Sequence, residues 1–132
     1  MNDSPLNWSD YPNFKEAEFA CSEFKVCHMQ PAFMATLQKI RTIYGKPLII
    51  SSGYRSLEHS REKGKIHAGE HTLGLAADIL IAGAEALKLV DIAINQGVRR
   101  IGVSQKGDYN VRFLHFGIGD RFGMFPSAIW SY

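Results

Sequence analysis

Two hydrophobic periods alternate along this chain, and each marks a different kind of element. Phe33, Leu37, Ile40 and Tyr44 recur at helical spacing; Pro31 suits the first helical position, and Gly45 with Pro47 ends the run, so the pattern predicts a helix over 31–44. A second helix is predicted over 84–96, with Leu87, Val90 and Ile94 on one side, Lys88 and Asp91 outward, and Gly97 as the stop. Residues 14–19 suggest a short helical turn that places Phe14 and Phe19 against the core. Between the helices the period shortens. Leu48-Ile49-Ile50-Ser51-Ser52 and Ala76-Ala77-Asp78-Ile79-Leu80-Ile81 read as strands, the second fully buried. Residues 98–103 and 111–118 read as a hairpin around Lys106-Gly107-Asp108, with Val111, Phe113, His115 and Gly117 on one face.

Residues 56–70 are rich in charge, histidine and glycine without any period, and read as a surface loop of functional length. The tail over 122–132 carries Trp130 and Tyr132, aromatic enough either to pack back on the domain or to meet a partner. No repeat, linker or low-complexity segment interrupts the chain. With 132 residues, 45% of them hydrophobic, it suits one compact domain, 1–132, with a real core. The formal net charge of +2 comes without the basic stripe that nucleic-acid binding calls for. Cys21 and Cys27 read as packed, reduced thiols, and Cys27-His28 lacks partners for a metal site of its own.

The chemistry lies in His71, Asp78 and a distant His115 within an apolar run. Zinc takes imidazole nitrogen and carboxylate oxygen at about 2.0–2.2 Å, and catalytic sites supply three protein ligands and leave one position open. The spacing from His71 to Asp78 needs a bend, because seven residues of strand span roughly 23 Å and two turns of helix roughly 10 Å. Gly74 sits midway and can adopt the positive φ that reverses a chain. Taken singly, Asp78 reads as a hydrogen-bonded core acid and His115 as a satisfied core histidine; together with His71 they point to metal.

A His-x6-Asp pair followed by a distant His resembles the LAS-type zinc peptidases, in particular the D-alanyl-D-alanine carboxypeptidase and phage endolysin branch. The resemblance covers about residues 14–122 and includes Glu18-Phe19-Ala20-Cys21, Gly45-Lys46-Pro47-Leu48 and Ser51-Ser52-Gly53-Tyr54-Arg55-Ser56. It implies an α+β fold with a central, mainly antiparallel sheet flanked by helices, like that of hedgehog and D-Ala-D-Ala peptidases. It also implies Zn2+ held by His71, Asp78 and His115, and Arg55 as the arginine that holds substrate. The implied substrate is a peptidoglycan stem peptide, cut either as a D-alanyl-D-alanine carboxypeptidase or as an L-alanyl-D-glutamate endopeptidase. The mild positive charge is compatible with attraction to anionic cell-wall polymer.

Several family positions differ. Relatives place Ser two residues before the first ligand, where this chain has Gly69. They keep a general base as an acid three residues before the last ligand, a histidine two before it, or an aspartate two after it; those positions here are Arg112, Phe113 and Gly117. Asp120 and Asp108 are the nearest acids in sequence to His115, and both read as solvated loop charges. Gly117 and Gly119 suggest either room for substrate backbone or a bend. A competing His67-x-x-Glu70-His71 pattern would need a helix, which Gly64, Gly69 and Gly74 oppose, so His59, His67 and Glu70 read as loop residues over or beside the site.

The missing base keeps a second class open, a non-catalytic zinc-bearing cell-wall-binding or virion module; a fold persisting without metal is a third. The expected chain is a monomer with no membrane span. No charged segment followed by an apolar core opens it, so no signal peptide is expected, and the location that follows is cytoplasmic until lysis or virion-associated.

Overall fold

The computed structural model describes residues 5–65 and 68–132. Its elements follow in the order α1 (Glu16–Phe19), α2 (Pro31–Tyr44), β1 (Ile49–Ser52), β2 (Ala76–Leu80), α3 (Gly83–Asn95), β3 (Arg100–Ser104), β4 (Phe113–Gly117) and β5 (Ala128–Ser131). The strands form one sheet in the order β1-β2-β4-β3-β5, antiparallel throughout except for the parallel pair β3–β5. This is the α+β architecture expected of the sequence. Pro31 does occupy the first turn of α2, and Gly45 at φ 77° closes it by donating its N–H to Arg41 O.

Alternation divides the sheet into two faces. Ala77 and Ile79 on β2, Leu114 and Phe116 on β4, and Ile101 on β3 belong to the buried core, together with Phe33, Leu37 and Ile40 of α2 and Leu89 and Ala93 of α3. The opposite parity carries Asp78, His115 and Gly102, placed side by side by register: Ser52↔Asp78, Asp78↔His115, His115↔Gly102 and Gly102↔Trp130. Because directly paired residues project from the same face of a pleated sheet, one row of residues across all five strands crosses the candidate site.

Two expectations are corrected, and the tail takes one of the two courses left open for it. The core face of α3 is Ala86, Leu89 and Ala93, while Leu87 and Ile94 are exposed. The buried face thus centres on Leu89 between two alanines, facing α2 and β4, with Val90 packed partly against the core, and a pattern counted on Leu87 and Ile94 misses it. Residues 109–111 form a 3-10 turn and not the start of a strand, so Val111 lies outside the row that contains Phe113 and His115. The aromatic tail packs back as β5, with Ile101 opposite Ile129.

The turn between loop and β2 depends on Gly74. Its φ is +71°, and a Cβ there would lie 2.1 Å from His28 O and 3.0 Å from Met29 Cα. The neighbouring backbone is tied in by Gln30 N donating to Gly74 O at 3.0 Å. A left-handed conformation costs an L-residue roughly 1–2 kcal/mol, and the clash with a backbone carbonyl adds to it. Gly74→Ala should therefore lower the unfolding free energy of the metal-free protein by more than about 2 kcal/mol, read from urea unfolding in chelator; a loss below about 0.5 kcal/mol would show that the turn relaxes freely.

Candidate metal centre

His71, Asp78 and His115 are brought together from the end of a long loop and from two adjacent strands. All three are buried, and their ligand atoms lie within 4.8 Å of one another. Asp78 Oδ1 is the shared point, 3.3 Å from His71 Nε2 and 3.1 Å from His115 Nδ1. The tautomers follow from the outer nitrogens. His71 Nδ1 lies 2.8 Å from Gly53 O, a pure acceptor, so it carries the proton there and presents a bare Nε2 inward. His115 Nε2 lies 2.9 Å from Glu70 Oε1, so the same reasoning leaves a bare Nδ1 inward. Two imidazole lone pairs then face one carboxylate oxygen, an arrangement that only a proton or a cation between them can satisfy. The donor set therefore fits a metal ion: two neutral imidazole nitrogens and a carboxylate converging from three directions, each held by a hydrogen bond or ion pair on its outer side.

Arg55 sits at the end of β1 and spans the acids. Its Nη2 is 3.4 Å from Asp78 Oδ2, its Nη1 3.5 Å from Glu62 Oε2, and its Nε donates to Ser52 Oγ at 3.1 Å. The segment is stitched to the ligand loop by Arg55 N donating to His71 O at 3.1 Å. Beside it a small hydroxyl-rich cavity is lined by Glu18, Ser22, Ser51, Ser52 and Tyr54. On the opposite flank the row ends at Trp130, whose ring centroid is 5.0 Å from that of His115. Gly102 permits this approach, since a Cβ there would meet Trp130 Nε1 at 2.6 Å and Tyr132 Oη at 2.8 Å.

The loop over 56–70 is less superficial than its composition suggests. His59, Glu62 and Glu70 are buried. His59 Nδ1 accepts from Arg61 N at 3.1 Å, and its Nε2 faces Ser22 Oγ at 3.3 Å and Glu23 Oε2 at 3.4 Å, which makes it a loop clasp. Glu62 receives Lys65 at 3.0 Å and Thr72 Oγ1 at 3.2 Å besides Arg55. Glu70 reaches His115, a contact that its sequence context did not signal. Residues 69–74 form turns without a helix, so the competing histidine–glutamate–histidine pattern lacks its scaffold; His67 lies outside the described residues. Gly117 makes room for the Glu70 carboxylate, while Gly119 opens the 3-10 turn over 119–122 and lies against the Phe125 ring as well as Glu70. Asp108 precedes the 3-10 turn over 109–111 and is exposed, and Asp120 faces Ser127 Oγ at 3.5 Å; neither joins the three converging groups. Cys21 is buried and Cys27 half-buried, both as free thiols.

The electrostatics follow from this packing. Burial alone would raise the Asp78 pKa, but His115 and His71, whose inner nitrogens meet it through a proton when no metal is bound, outweigh burial and hold the carboxyl well below the usual range. Burial likewise opposes the shift at Glu70, where His115, Arg100 and the Gly119 N–H win and lower it. His115 is pushed the other way: burial disfavours its charge, yet Asp78 and Glu70 on its two nitrogens raise its pKa in the metal-free protein.

The sequence family described as Peptidase M15 matches the chain over residues 12–115. That span contains Arg55, His71, Asp78 and His115. No curated protein sequence matches the chain.

Without metal, His115 carries a raised pKa, so its contribution to stability is present below its ordinary value of 6.5 and is lost as pH rises through the raised value. Asp78 and Glu70 carry lowered pKa values, so theirs is present above ordinary values of 3.8 and 4.5 and is lost on acidification. In chelator the melting temperature should peak between pH 4.5 and 6.5 and fall on both sides, whereas a saturating divalent metal, which needs the bare nitrogens, should move the optimum upward. Thermal melts across pH check this, and a chelated protein whose stability keeps climbing through neutral pH would contradict it.

Proposed function

The chain belongs to the peptidase M15 family, and from that premise we propose that it is a single-domain zinc metallopeptidase that hydrolyses peptidoglycan stem peptides. The observation that carries this reading is the pair of imidazole lone pairs, His71 Nε2 and His115 Nδ1, aimed at one oxygen of Asp78. Zinc held by these three side chains would supply a Lewis acid for the scissile carbonyl and make water nucleophilic near neutral pH.

The remaining work belongs to the protein. Arg55 has one N–H committed on each of its three nitrogens, which leaves two donors of its planar fork for a substrate carbonyl or carboxylate. Its anchorage to Asp78 and Glu62 fixes that fork relative to the metal ligands, so a bound peptide is aligned with the reacting centre. Trp130 and Tyr132 shield the β5 flank and restrict water there. The hydroxyl-rich cavity beside Arg55 offers polar contacts to a short peptide, and the bond cut is either the D-alanyl-D-alanine or the L-alanyl-D-glutamate linkage.

A non-catalytic zinc-bearing wall-binding or virion module is the second reading, favoured by Arg112, Phe113 and Gly117 standing where relatives keep the general base. Mass spectrometry of purified peptidoglycan incubated with the zinc-loaded protein separates the two. New fragments, absent with His71→Ala and named by their masses, are expected; intact wall from several chemistries would favour the module. Measured at saturating zinc, because Arg55 also partners the ligand Asp78, Arg55→Ala should lower kcat/KM by about 10–100-fold, the loss of charged hydrogen bonds worth roughly 1.5–3 kcal/mol. Steady-state kinetics with a synthetic stem peptide measures this, and an unchanged kcat/KM would remove Arg55 from substrate binding.

A further inference from the structure

Behind His115, on the edge of the ring that faces away from Asp78, lies a carboxylate that the metal ligands do not include. Glu70 Oε1 is 2.9 Å from His115 Nε2 and 2.8 Å from Arg100 Nε, and Oε2 accepts from Gly119 N at 2.9 Å. Its side chain is 3% exposed. Burial of a carboxylate is expensive unless partners surround it, and here a ring N–H and a backbone amide donate to it while the Arg100 guanidinium pairs with it as an ion.

The surrounding sequence is shaped to admit it. A Cβ on Gly117 would lie 2.2 Å from Glu70 Oε2 and 2.5 Å from its Cδ, and a Cβ on Gly119 would lie 3.0 Å from Oε2. Arg100 stands opposite Gly117 in the β3–β4 register, so the same missing side chain lets the guanidinium and the carboxylate meet over β4. Arg100 is itself held from above, its guanidinium 4.8 Å from the Phe125 ring centroid and 5.0 Å from that of Trp130. The clamp is therefore assembled from the ligand loop, β3, β4 and the segment leading into β5.

We infer that Glu70 is the positioning residue of the metal centre, accepting the Nε2 proton of His115 so that Nδ1 is fixed as the ligand nitrogen, with Arg100 holding the carboxylate in place. The inference rests on the metal-centre reading given above. A carboxylate behind a ligand histidine fixes its tautomer and ring orientation and strengthens the nitrogen as a donor, and loss of such a partner typically costs 10–100-fold in metal affinity. Glu70 does not act as the base for water. Both its oxygens are engaged, and the imidazole ring stands between it and the atom that would meet the metal.

The test is zinc affinity of the full chain, measured by competition with a chelating indicator, for the unaltered protein, Glu70→Gln, Glu70→Ala and Gly117→Ala. Glu70→Ala should bind zinc 10–100-fold more weakly, and Glu70→Gln, which keeps an acceptor without its charge, should fall between it and the unaltered protein. Gly117→Ala, which displaces the carboxylate without altering it, should weaken binding in the same direction. In chelator, at a pH high enough that the ring is neutral, the 15N shifts of His115 should report Nε2–H in the unaltered protein and a mixture of tautomers in Glu70→Ala, a change that loss of packing alone would not produce. Should Glu70→Ala fail to fold, the near-isosteric Glu70→Gln decides. Zinc affinities of the Glu70 variants within twofold of the unaltered protein, with the tautomer unchanged, would overturn the inference. An unaltered protein that binds no zinc would overturn the metal reading itself and this inference with it.

Discussion

The structure turns on one carboxylate oxygen. Asp78 projects from β2, a central strand whose neighbours Ala77 and Ile79 are fully buried, and a charge in that position is tolerated only when it is surrounded by partners. Its partners come from three directions: Arg55 from the end of β1, His71 from the loop before β2, and His115 from β4. Each direction fixes an element. Antiparallel pairing puts His115 opposite Asp78, the reversal at Gly74 returns His71 over the strand it precedes, and the amide of Arg55 bonds back to His71 O.

Close approach at this site depends on side chains that are missing as much as on those present. Gly102 admits Trp130 and Tyr132 to the row beyond His115, and Gly117 admits the Glu70 carboxylate to the row beside it. The second of these bears on the base that relatives keep two residues after the last ligand. An aspartate at position 117 would place its Cβ within 2.5 Å of all three atoms of the Glu70 carboxylate, so the two acids exclude each other. A carboxylate from the loop occupies the volume that a strand residue would have filled, and its direction is different: it faces the back of His115 rather than the open side of the site.

How much of this was legible follows from which interactions are local. Helix α2 was readable to its ends because its stripe, its Pro31 and its Gly45 act within a few residues. The reversal at Gly74 was readable because chain geometry forbids two ligands seven apart in a strand or a helix from sharing an ion. The α+β architecture and the family were readable through His71, Asp78 and His115 in that order. Glu70 was not. Its neighbours in sequence are polar, and its partners Arg100, His115 and Gly119 lie 30 to 49 residues away on other elements. The same holds for the α3 face, where Ala86 and Ala93 are buried because of what packs against them, and for Val111, whose apolar side chain fits a strand pattern that the turn over 109–111 interrupts.

Charge balance links the ligand set to its surroundings. Asp78, Glu62 and Glu70 are three buried acids, and Arg55 and Arg100 are the two guanidinium groups that meet them from within the fold, with Lys65 completing Glu62 from the surface. The count balances, but Arg55 is shared between Asp78 and Glu62 and Lys65 is half exposed, so the buried negative charge is least compensated where two acids flank His115, one on each ring nitrogen. A proton on that ring can offset it, and so can a cation seated against Nδ1. The two compete for the same lone pair, which makes occupation of the site an exchange of protons for metal. A divalent ion has the further advantage that it engages His71 Nε2 at the same time, whereas a single proton on His115 leaves that second lone pair facing the carboxylate. The geometry thus favours the ligand that can accept three donors at once, and His71 sets that preference.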